Sequence, residues 1–405
     1  MPLPAFDPLR HRIEYGSTLD DLGPRIPPGA GAPTEEAAGG QAEGHLDVHD
    51  HWPDGLAPAP FAVEPEPSPY DALPKADYLV VTWTVAELEA LADVLTPGIK
   101  RNAWYRYARG FEKHYLPLIR DGAPSKKAKR LGSYYMTKIG AATVVLFKSE
   151  LHLNQDGIMQ PEGYATLPVL DLFKQIIKEV QPKLVITVGT AGASNAAHWL
   201  GDVLITRAAR FRCQSEFGKA PYNNTTYKSD SPIPTSKLAV ANKLLKLQEP
   251  NLVEPDFAPP TGHYPWEGEA LPGTKNKPRI RLDGGGGEDD FAAFHPMLTT
   301  DFFEFGTTTN GVWDHGCALE MGDAALGLAA EQLGADAPRW LVIRNASDPA
   351  INGKLPTGAR AVNMQAHWAV WYYEAYGYWT SVNSAIATWG IIAGDSGAGD
   401  QEQAS

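Results

Sequence analysis

Short runs of β-branched and apolar residues alternate with helical stretches from Tyr78 onwards, and this alternation limits the fold more than any other feature of the sequence. We predict strands at 78–84, 142–147, 183–189, 203–208, 297–303 and 340–345. We predict helices at 85–95, 102–118, 166–180, 235–247, 321–333 and 359–387. The pattern favours an α/β fold with three layers, in which helices cover both faces of a central mixed sheet. Ligands of such sheets gather beyond the carboxyl ends of the strands.

The first 74 residues differ from the rest of the chain. They hold 13 acidic and three basic residues, together with 14 of the 34 prolines. A segment of this composition buries too little apolar surface to offset the entropy of ordering. We therefore expect residues 1–74 to form a largely disordered, acidic, Pro-rich arm in front of a single domain at 75–405.

Two segments of the domain are predicted to be insertions. Residues at about 251–290 are rich in Pro and Gly and predict a long surface excursion. Residues 100–130, here called the basic segment, hold ten Lys and Arg against Glu112 and Asp121. The basic segment is consistent with a solvated helical face that rests against the acidic arm. It is also consistent with a binding site for substrate phosphates.

Charge and cysteine usage exclude several classes of protein. The formal net charge of −13 disfavours binding to nucleic-acid phosphates, so no nucleic-acid partner is expected. Cys213 and Cys317 have no spacing typical of a disulfide framework or a metal site. No apolar run reaches the roughly 18 residues of a membrane helix, and the N-terminus lacks the pattern of a secretory signal. We expect a cytoplasmic protein with no membrane partner.

The most informative stretch is Pro-Lys-Leu-Val-Ile-Thr-Val-Gly-Thr-Ala-Gly-Ala at 182–193. A buried strand enters a turn formed by Thr190, Ala191 and Gly192, where small residues let backbone amides approach a ligand. Leu-Gly-Asp-Val at 200–203 then leads into a second strand. Alone, the small-residue turn is also compatible with a packed crossover.

Together these runs resemble the purine nucleoside phosphorylase and methylthioadenosine/adenosylhomocysteine nucleosidase superfamily, where a Thr-Gly-Ser/Thr-Ala-Gly turn precedes Leu-Gly-Asp-Val. Cys-Ala-Leu-Glu-Met-Gly-Asp at 317–323 resembles the family's Glu-Met-Glu segment, and Val-Ile-Arg-Asn-Ala-Ser-Asp at 342–348 resembles its strand ending in Ser-Asp. The resemblance implies a nucleoside phosphorylase-like fold, a homo-oligomer and a purine nucleoside or nucleotide as substrate. It implies no metal and no organic cofactor.

Cleavage of a purine glycosidic bond requires an acid for the departing base, stabilisation of an oxocarbenium-like sugar, and a nucleophile. The resemblance places Asp348 as the acid that serves N7 of the base, oriented by Ser347. Gapless placement of Val-Val-Thr-Trp-Thr-Val-Ala-Glu at 80–87 puts Glu87 on the family's Glu that activates water. A helix N-cap at Asp348 and a first-turn charge at Glu87 are the plain alternatives, and Glu89 is a nearby competitor.

Further substrate contacts follow from the same resemblance. Thr-Thr-Asp-Phe-Phe-Glu at 299–304 resembles the segment that supplies an aromatic ring over the purine. Phe303 is the stacking candidate, and Phe302 is expected in the core because strand side chains alternate. The other expected substrate-binding residues are Ser149, Thr190, Ala191, Gly192, Glu304, Glu320, Met321, Asp323 and Ser347.

One position departs from the family. Gly322 replaces the second Glu of Glu-Met-Glu, which grips the ribose hydroxyls in the family. Asp323 and Glu320 are possible substitutes, but a helix turns by about 100° per residue, so each would approach from a different direction. Recognition of the ribose is therefore expected to be altered or lost.

These residues favour a purine nucleosidase that uses water, because Thr82, Trp83 and Thr84 lack the Gly or Arg of a phosphate cradle. Three alternatives stay open. One is a phosphorylase of the same superfamily with phosphate as a co-substrate. Another is a nucleosidase that acts on nucleotides of the AMP or ATP type, suggested by the basic segment. The third is a noncatalytic purine-sensing module.

Overall fold

A computed structural model describes residue 46 and residues 48–252, 278–287, 290–355 and 364–397. Within these ranges thirteen strands join in one sheet. The strands are β1 Ala59–Phe61, β2 Tyr78–Thr82, β3 Tyr105–Tyr107, β4 Gly132–Ile139, β5 Ala142–Ser149, β6 Leu184–Ala193, β7 Val203–Thr206, β8 Ala208–Phe211, β9 Thr226–Lys228, β10 Ile280–Leu282, β11 Met297–Thr299, β12 Ala318–Glu320 and β13 Arg339–Asp348. The α-helices are α1 Val85–Leu95, α2 Pro124–Ala128, α3 Leu153–Asp156, α4 Pro168–Val180, α5 Leu238–Leu247, α6 Asp323–Leu333 and α7 Met364–Gly397.

Strand β6 is the centre of the sheet. It runs parallel to both of its neighbours, β2 and β13, and its carboxyl end also pairs with β12 in the antiparallel direction. The sheet continues from β2 through β5, β4 and β1, and from β12 through β11, β8 and β9. Parallel and antiparallel pairs therefore occur together, which confirms the predicted mixed sheet.

Helices cover both faces of the sheet because alternate strand residues point to opposite sides. Leu79 and Val81 of β2 share one apolar layer with Phe173 of α4 and with residues of α6. Tyr78 and Val80 belong to a second layer, formed with α1, α5 and α7. The predicted three-layer α/β class is confirmed. None of the helices in the described ranges is both long and apolar enough to cross a membrane.

The junction between β2 and α1 matches the predicted strand and helix. Thr84 caps the helix: its Oγ1 accepts a hydrogen bond from the Glu87 backbone N–H at 3.3 Å, and Glu87 Oε2 accepts one from the Thr84 N–H at 2.9 Å. This reciprocal pair is the capping box that the pattern Thr-x-x-Glu encodes. It fixes Glu87 at the carboxyl end of β2.

The part of the predicted arm that the structure describes packs against the domain. Strand β1 pairs with β4, Val48 is buried, and the ring of Trp52 lies 4.6 Å from that of Trp389. The Trp389 indole N–H also donates to the Leu56 carbonyl at 2.7 Å. The prediction of a largely disordered arm is therefore wrong for 48–74, because its few apolar residues find partners on α7 and β4. Residues 1–45 lie outside the described ranges.

The two predicted insertions also differ from expectation. The helix predicted at 102–118 is wrong: Tyr105–Tyr107 pairs with β4 as strand β3, and Gly110 then turns the chain with φ of 73° before a π-helical turn at Phe111–Tyr115. In the second insertion, β10 extends the sheet by pairing with β7, and Arg281 is buried against Asp202 at 2.8 Å. Residues 253–277 and 288–289 lie outside the described ranges.

Strand β6 is longer than predicted. The small residues Thr190, Ala191 and Gly192, predicted as a turn, continue the strand to Ala193. Opposite them, β13 extends to Asp348, and its register shifts by one residue between Ala346 and Asp348. A bulge of this kind re-aims side chains at a strand end. As a result, both Ser347 and Asp348 reach the same pocket.

Candidate active site

A pocket of about 770 Å³, counting its open mouth, lies at the carboxyl ends of β2, β6 and β13. This is where an α/β sheet is expected to bind a ligand. Most of the residues singled out from the sequence line it, namely Glu87, Thr190, Ala191, Gly192, Phe303, Glu304, Glu320, Met321, Ser347 and Asp348. Ser149 and Asp323 do not belong to its lining.

The side chains of both residues are held by contacts within the protein. The Ser149 hydroxyl bonds to both backbone groups of Leu151, accepting from the N–H at 3.0 Å and donating to the carbonyl at 2.9 Å, so it fixes the turn after β5. Asp323 is buried and held by Arg344. The competitor Glu89 pairs with Arg101 at 2.7 Å, away from the pocket.

The Glu87 carboxylate is surrounded by donors. Oε2 accepts from the Thr82 hydroxyl and from the Trp83 and Thr84 N–H groups at 2.9–3.0 Å, and Oε1 accepts from the N–H and hydroxyl of Thr190 at 2.8 Å. Burial acts to raise the pKa of Glu87, but the Arg344 charge and these hydrogen bonds outweigh it and hold that pKa below its ordinary value. Glu87 is therefore a fixed anion with its lone pairs engaged.

Arg344 lies buried beside Glu87 and joins three acidic side chains. It binds Asp323 through Nε at 2.9 Å and Nη2 at 2.6 Å. Nη2 also lies 3.3 Å from Glu320 Oε2, and Nη1 lies 3.7 Å from Glu87 Oε1. The guanidinium sits 5.0 Å from the centroid of the Trp83 ring. One cation thus fixes carboxylates from α1, β12 and α6, and all its charge is used within the protein.

Glu320 ends β12 and caps the amino end of α6. Its carboxylate accepts hydrogen bonds from the Gly322 and Asp323 N–H groups and from the Thr299 hydroxyl. Burial and the nearby Asp323 charge raise the pKa of Glu320, against the lowering effect of Arg344. Glu320 and Asp323 are both engaged in this cluster, and of the two Glu320 belongs to the pocket lining.

Asp348 has a different environment. It is buried, and its Oδ1 accepts a hydrogen bond from the Ser347 hydroxyl at 3.0 Å. Burial raises the pKa of Asp348 to about 7, and the Ser347 hydrogen bond only partly offsets this. A carboxyl group with this pKa is protonated in much of the population at neutral pH and can donate a hydrogen bond or a proton.

Two glycines leave the space that the site requires. A Cβ atom at Gly192 would lie 2.8 Å from Asp348 Oδ2, so a larger residue would push the carboxyl group out of place. A Cβ atom at Gly322 would lie 3.0–3.4 Å from the indole ring of Trp83. A side chain at residue 322 would therefore press against the Trp83 ring.

The opposite wall is formed by a loop after β5 and by aromatic residues. Burial and the nearby Lys148 ammonium lower the pKa of His152 to about 3, so its imidazole is neutral. Phe303 lines the pocket with its ring 5.3 Å from that of Phe305. Strand β11 ends at Thr299, so the strand alternation expected for Phe302 does not apply, and Phe302 is half-buried rather than in the core.

The rim and the basic segment add no free cation to the described lining. Glu304 is held at 2.9 Å by two nitrogens of Arg212. The basic residues of the described lining are Arg344 and His152, and no member of the basic segment is among them. Five members of that segment pair with acidic side chains instead: Arg101, Arg109, Arg120, Lys126 and Arg130.

Several lining residues were missed from the sequence, above all Trp83, His152, Asn154, Arg344 and Tyr373. Arg344 lies inside a predicted apolar strand. A charged residue at such a position indicates a buried ion pair, because a buried Arg requires acidic partners. This feature could have marked Arg344 as part of the site. Tyr373 comes from α7, which packs across the sheet from a distant part of the chain. No local pattern marks it.

Comparison with solved structures finds nucleosidases of low similarity. The 5′-methylthioadenosine/S-adenosylhomocysteine nucleosidase from Neisseria meningitidis, in complex with methylthio-immucillin-A, is 15% identical with a TM-score of 0.39, and the match covers 78% of this chain and 99% of that one. Futalosine hydrolase of Helicobacter pylori is 9% identical with a TM-score of 0.40, covering 78% and 98%. The S-adenosylhomocysteine nucleosidase from Streptococcus pyogenes, with 5-methylthiotubericidin, is 12% identical with a TM-score of 0.39, covering 80% and 98%.

No protein-family model matches the chain, and no curated protein matches it. At the TM-scores above, the likeness to solved structures carries no chemical argument. The chemistry of the pocket has to follow from its own side chains.

Proposed function

We propose that this chain hydrolyses the N-glycosidic bond of a purine nucleoside and releases the free base. The observation that carries this proposal is a pair of buried carboxyl groups, Asp348 and Glu87, that line one pocket in opposite electrostatic surroundings. Carboxyl groups whose environments separate their pKa values are typical of an acid and an anion that share one reaction.

Asp348 is the acid in this proposal. Its proton passes to N7 of the purine while the bond between N9 and the anomeric carbon breaks, and the bonding electron pair leaves with the base. Water adds to the anomeric carbon, and the proton that this water releases restores Asp348. The apolar burial of Asp348 supports the assignment, because it keeps the proton on the carboxyl group near neutral pH.

Glu87 is the anion. A general base needs a free lone pair and a raised pKa, whereas Glu87 accepts five hydrogen bonds and has a lowered pKa. We therefore assign Glu87 electrostatic stabilisation of the oxocarbenium-like sugar rather than activation of water.

The two carboxyl groups contact β6 at different points along the strand. Glu87 bonds to Thr190, and Asp348 approaches Gly192. Two residues of strand span about 7 Å. Phe303 offers an aromatic face to the base from the same pocket.

The charge balance favours water over phosphate and a nucleoside over a nucleotide. Both phosphate and a 5′-phosphate are bound most strongly by donors with positive charge, such as Arg and Lys. In the described lining, Arg344 is already engaged by three acidic side chains and His152 is neutral. Glu87 and Glu304 are paired with Arg344 and Arg212, so the described lining offers no cation that is not already engaged. These features weigh against the phosphorylase and nucleotide alternatives.

The experiment that tests this proposal is chromatography of purine nucleosides and 5′-nucleotides after incubation with the protein, with and without phosphate. We expect free base and free sugar without phosphate, and faster release from nucleosides than from nucleotides. Strict phosphate dependence with a sugar 1-phosphate as product would instead identify a phosphorylase. Tight binding of a purine without any release would identify a sensing module.

A further inference from the structure

One wall of the pocket is formed by the short segment 152–156, which is held in place by residues that do not line the pocket. His152, Leu153 and Asn154 line the pocket; His152 precedes the single helical turn α3, which starts at Leu153 and ends at Asp156. A four-residue turn has little stability of its own, since helix formation has a costly nucleus. The position of this wall therefore depends on contacts made by other elements.

Arg120 of the basic segment supplies the main contacts. Its Nε donates to the Gln155 carbonyl at 2.7 Å, its Nη2 donates to the Asn154 carbonyl, and its own backbone N–H donates to the Asp156 carbonyl at 2.8 Å. Nη1 pairs with Glu216, which holds the guanidinium from the far side. Hydrogen bonds from a charged donor are about twice as strong as those between neutral groups.

A second contact comes from the same segment. Ser125 of α2 donates its hydroxyl to Asp156 Oδ1, and Asp156 Oδ2 accepts from the His152 N–H at 2.7 Å. Asp156 and Ser125 are both fully buried. The basic segment thus forms hydrogen bonds with Asn154, Gln155 and Asp156, although none of its side chains belongs to the described pocket lining.

We propose that Arg120 is a positioning residue that holds the loop at 152–156 in the conformation competent to bind substrate. The effect on turnover rests on the proposed function, whereas the effect on the loop does not. If loosening leaves only a fraction f of molecules competent, the apparent Kd rises by 1/f while turnover at saturation is unchanged. A tenth of the population competent would raise KM about tenfold.

The first arm of the test needs no substrate. Backbone amide hydrogen exchange is measured by mass spectrometry on peptides covering 150–157 in the full chain, in wild type and in Arg120→Met. We expect exchange in this stretch to accelerate at least about tenfold, with the core strands unchanged. Arg109→Met is the matched control, because Arg109 belongs to the same segment but pairs with Glu179 at the surface. Unchanged exchange in Arg120→Met would overturn the proposal.

The second arm uses whichever nucleoside the wild type cleaves. We expect Arg120→Met to raise KM about tenfold with kcat within about twofold of wild type, and Arg120→Lys and millimolar guanidinium added to Arg120→Ala each to restore part of the affinity. A loss confined to kcat, or an unchanged KM, would overturn the proposal. Absence of base release by the wild type would count against the proposed function alone. If Arg120→Met loses its cooperative unfolding transition, Ser125→Ala is used instead. This variant removes the hydrogen bond to Asp156, and we expect the same faster exchange in peptides covering 150–157.

Discussion

Asp348→Asn tests the role of the Asp348 proton without changing the shape of the side chain, because asparagine has nearly the same shape but carries no titratable proton. In the wild type the group is buried and accepts a hydrogen bond from the Ser347 hydroxyl. Its pKa rises from 3.8 to about 7 in the folded chain. The folded state therefore binds this proton more tightly than the unfolded state does.

The consequence for stability follows from linkage. Between about pH 4 and pH 7 the unfolded carboxyl is ionised while the folded one stays protonated, so the free energy of unfolding of the wild type falls as pH rises. A difference of about three pKa units corresponds to at most about 4 kcal/mol. The asparagine of the variant does not titrate and takes no part in this linkage. The stability of Asp348→Asn relative to wild type should therefore increase by up to about 4 kcal/mol between pH 4 and pH 8.

Urea unfolding of both proteins at pH 4, 6 and 8 measures this change, and base release measured beside it tests the chemistry. Loss of a general acid costs about 10²–10⁴-fold in rate. We therefore expect the stability of Asp348→Asn relative to wild type to rise from pH 4 to pH 8, and the variant to be nearly inactive at every pH. A stability difference that does not vary with pH, together with activity within tenfold of wild type, would refute the reasoning.

Three further results are expected. Ser347→Ala removes the hydrogen bond that favours ionised Asp348, so the fall in kcat/KM above neutral pH should move to higher pH; a shift to lower pH would contradict the assignment. Arg344→Met leaves its acidic partners buried without a cation and should lower the free energy of unfolding by about 3–5 kcal/mol in urea, whereas a variant as stable as wild type would contradict the account of Glu87 as a buried anion stabilised by Arg344. Removal of residues 1–74 should lower the free energy of unfolding by more than about 2 kcal/mol, because it deletes β1 and the Trp52 contact with Trp389; a truncated chain as stable as wild type would show that these contacts contribute little.

The central part of the fold could be predicted because its signals are local. The run at 78–95 begins with the apolar residues that a buried strand requires and then starts a helix with Thr84 and Glu87 at capping-box spacing. Gly192 and Asp348 could also be predicted as candidate site residues, because a small-residue stretch and a strand ending in Ser-Asp differ from the sequence around them. These residues meet since β6 and β13 are neighbours in the sheet.

The remainder depends on contacts between distant parts of the chain. The role of Arg344 could not be predicted, because it depends on Asp323 from α6 and Glu320 from β12, which lie beside it only in the folded chain. Ala191 and Gly192 look like a turn, but a partner strand with a shifted register keeps them extended. The basic segment has the composition of a phosphate site, yet Arg120 and four other cations in it are paired with acids, which composition alone does not reveal.

The central claim is that Asp348 protonates N7 of the departing purine, and the most direct test is the rate of base release from a nucleoside and from its 7-deaza analogue. Carbon replaces N7 in the analogue, so it offers no site for this proton while its size and sugar are unchanged. The wild-type protein should release the parent base at least about 10²-fold faster than the deaza base, without added phosphate, and should bind both compounds. Equal rates for the two compounds would contradict the account.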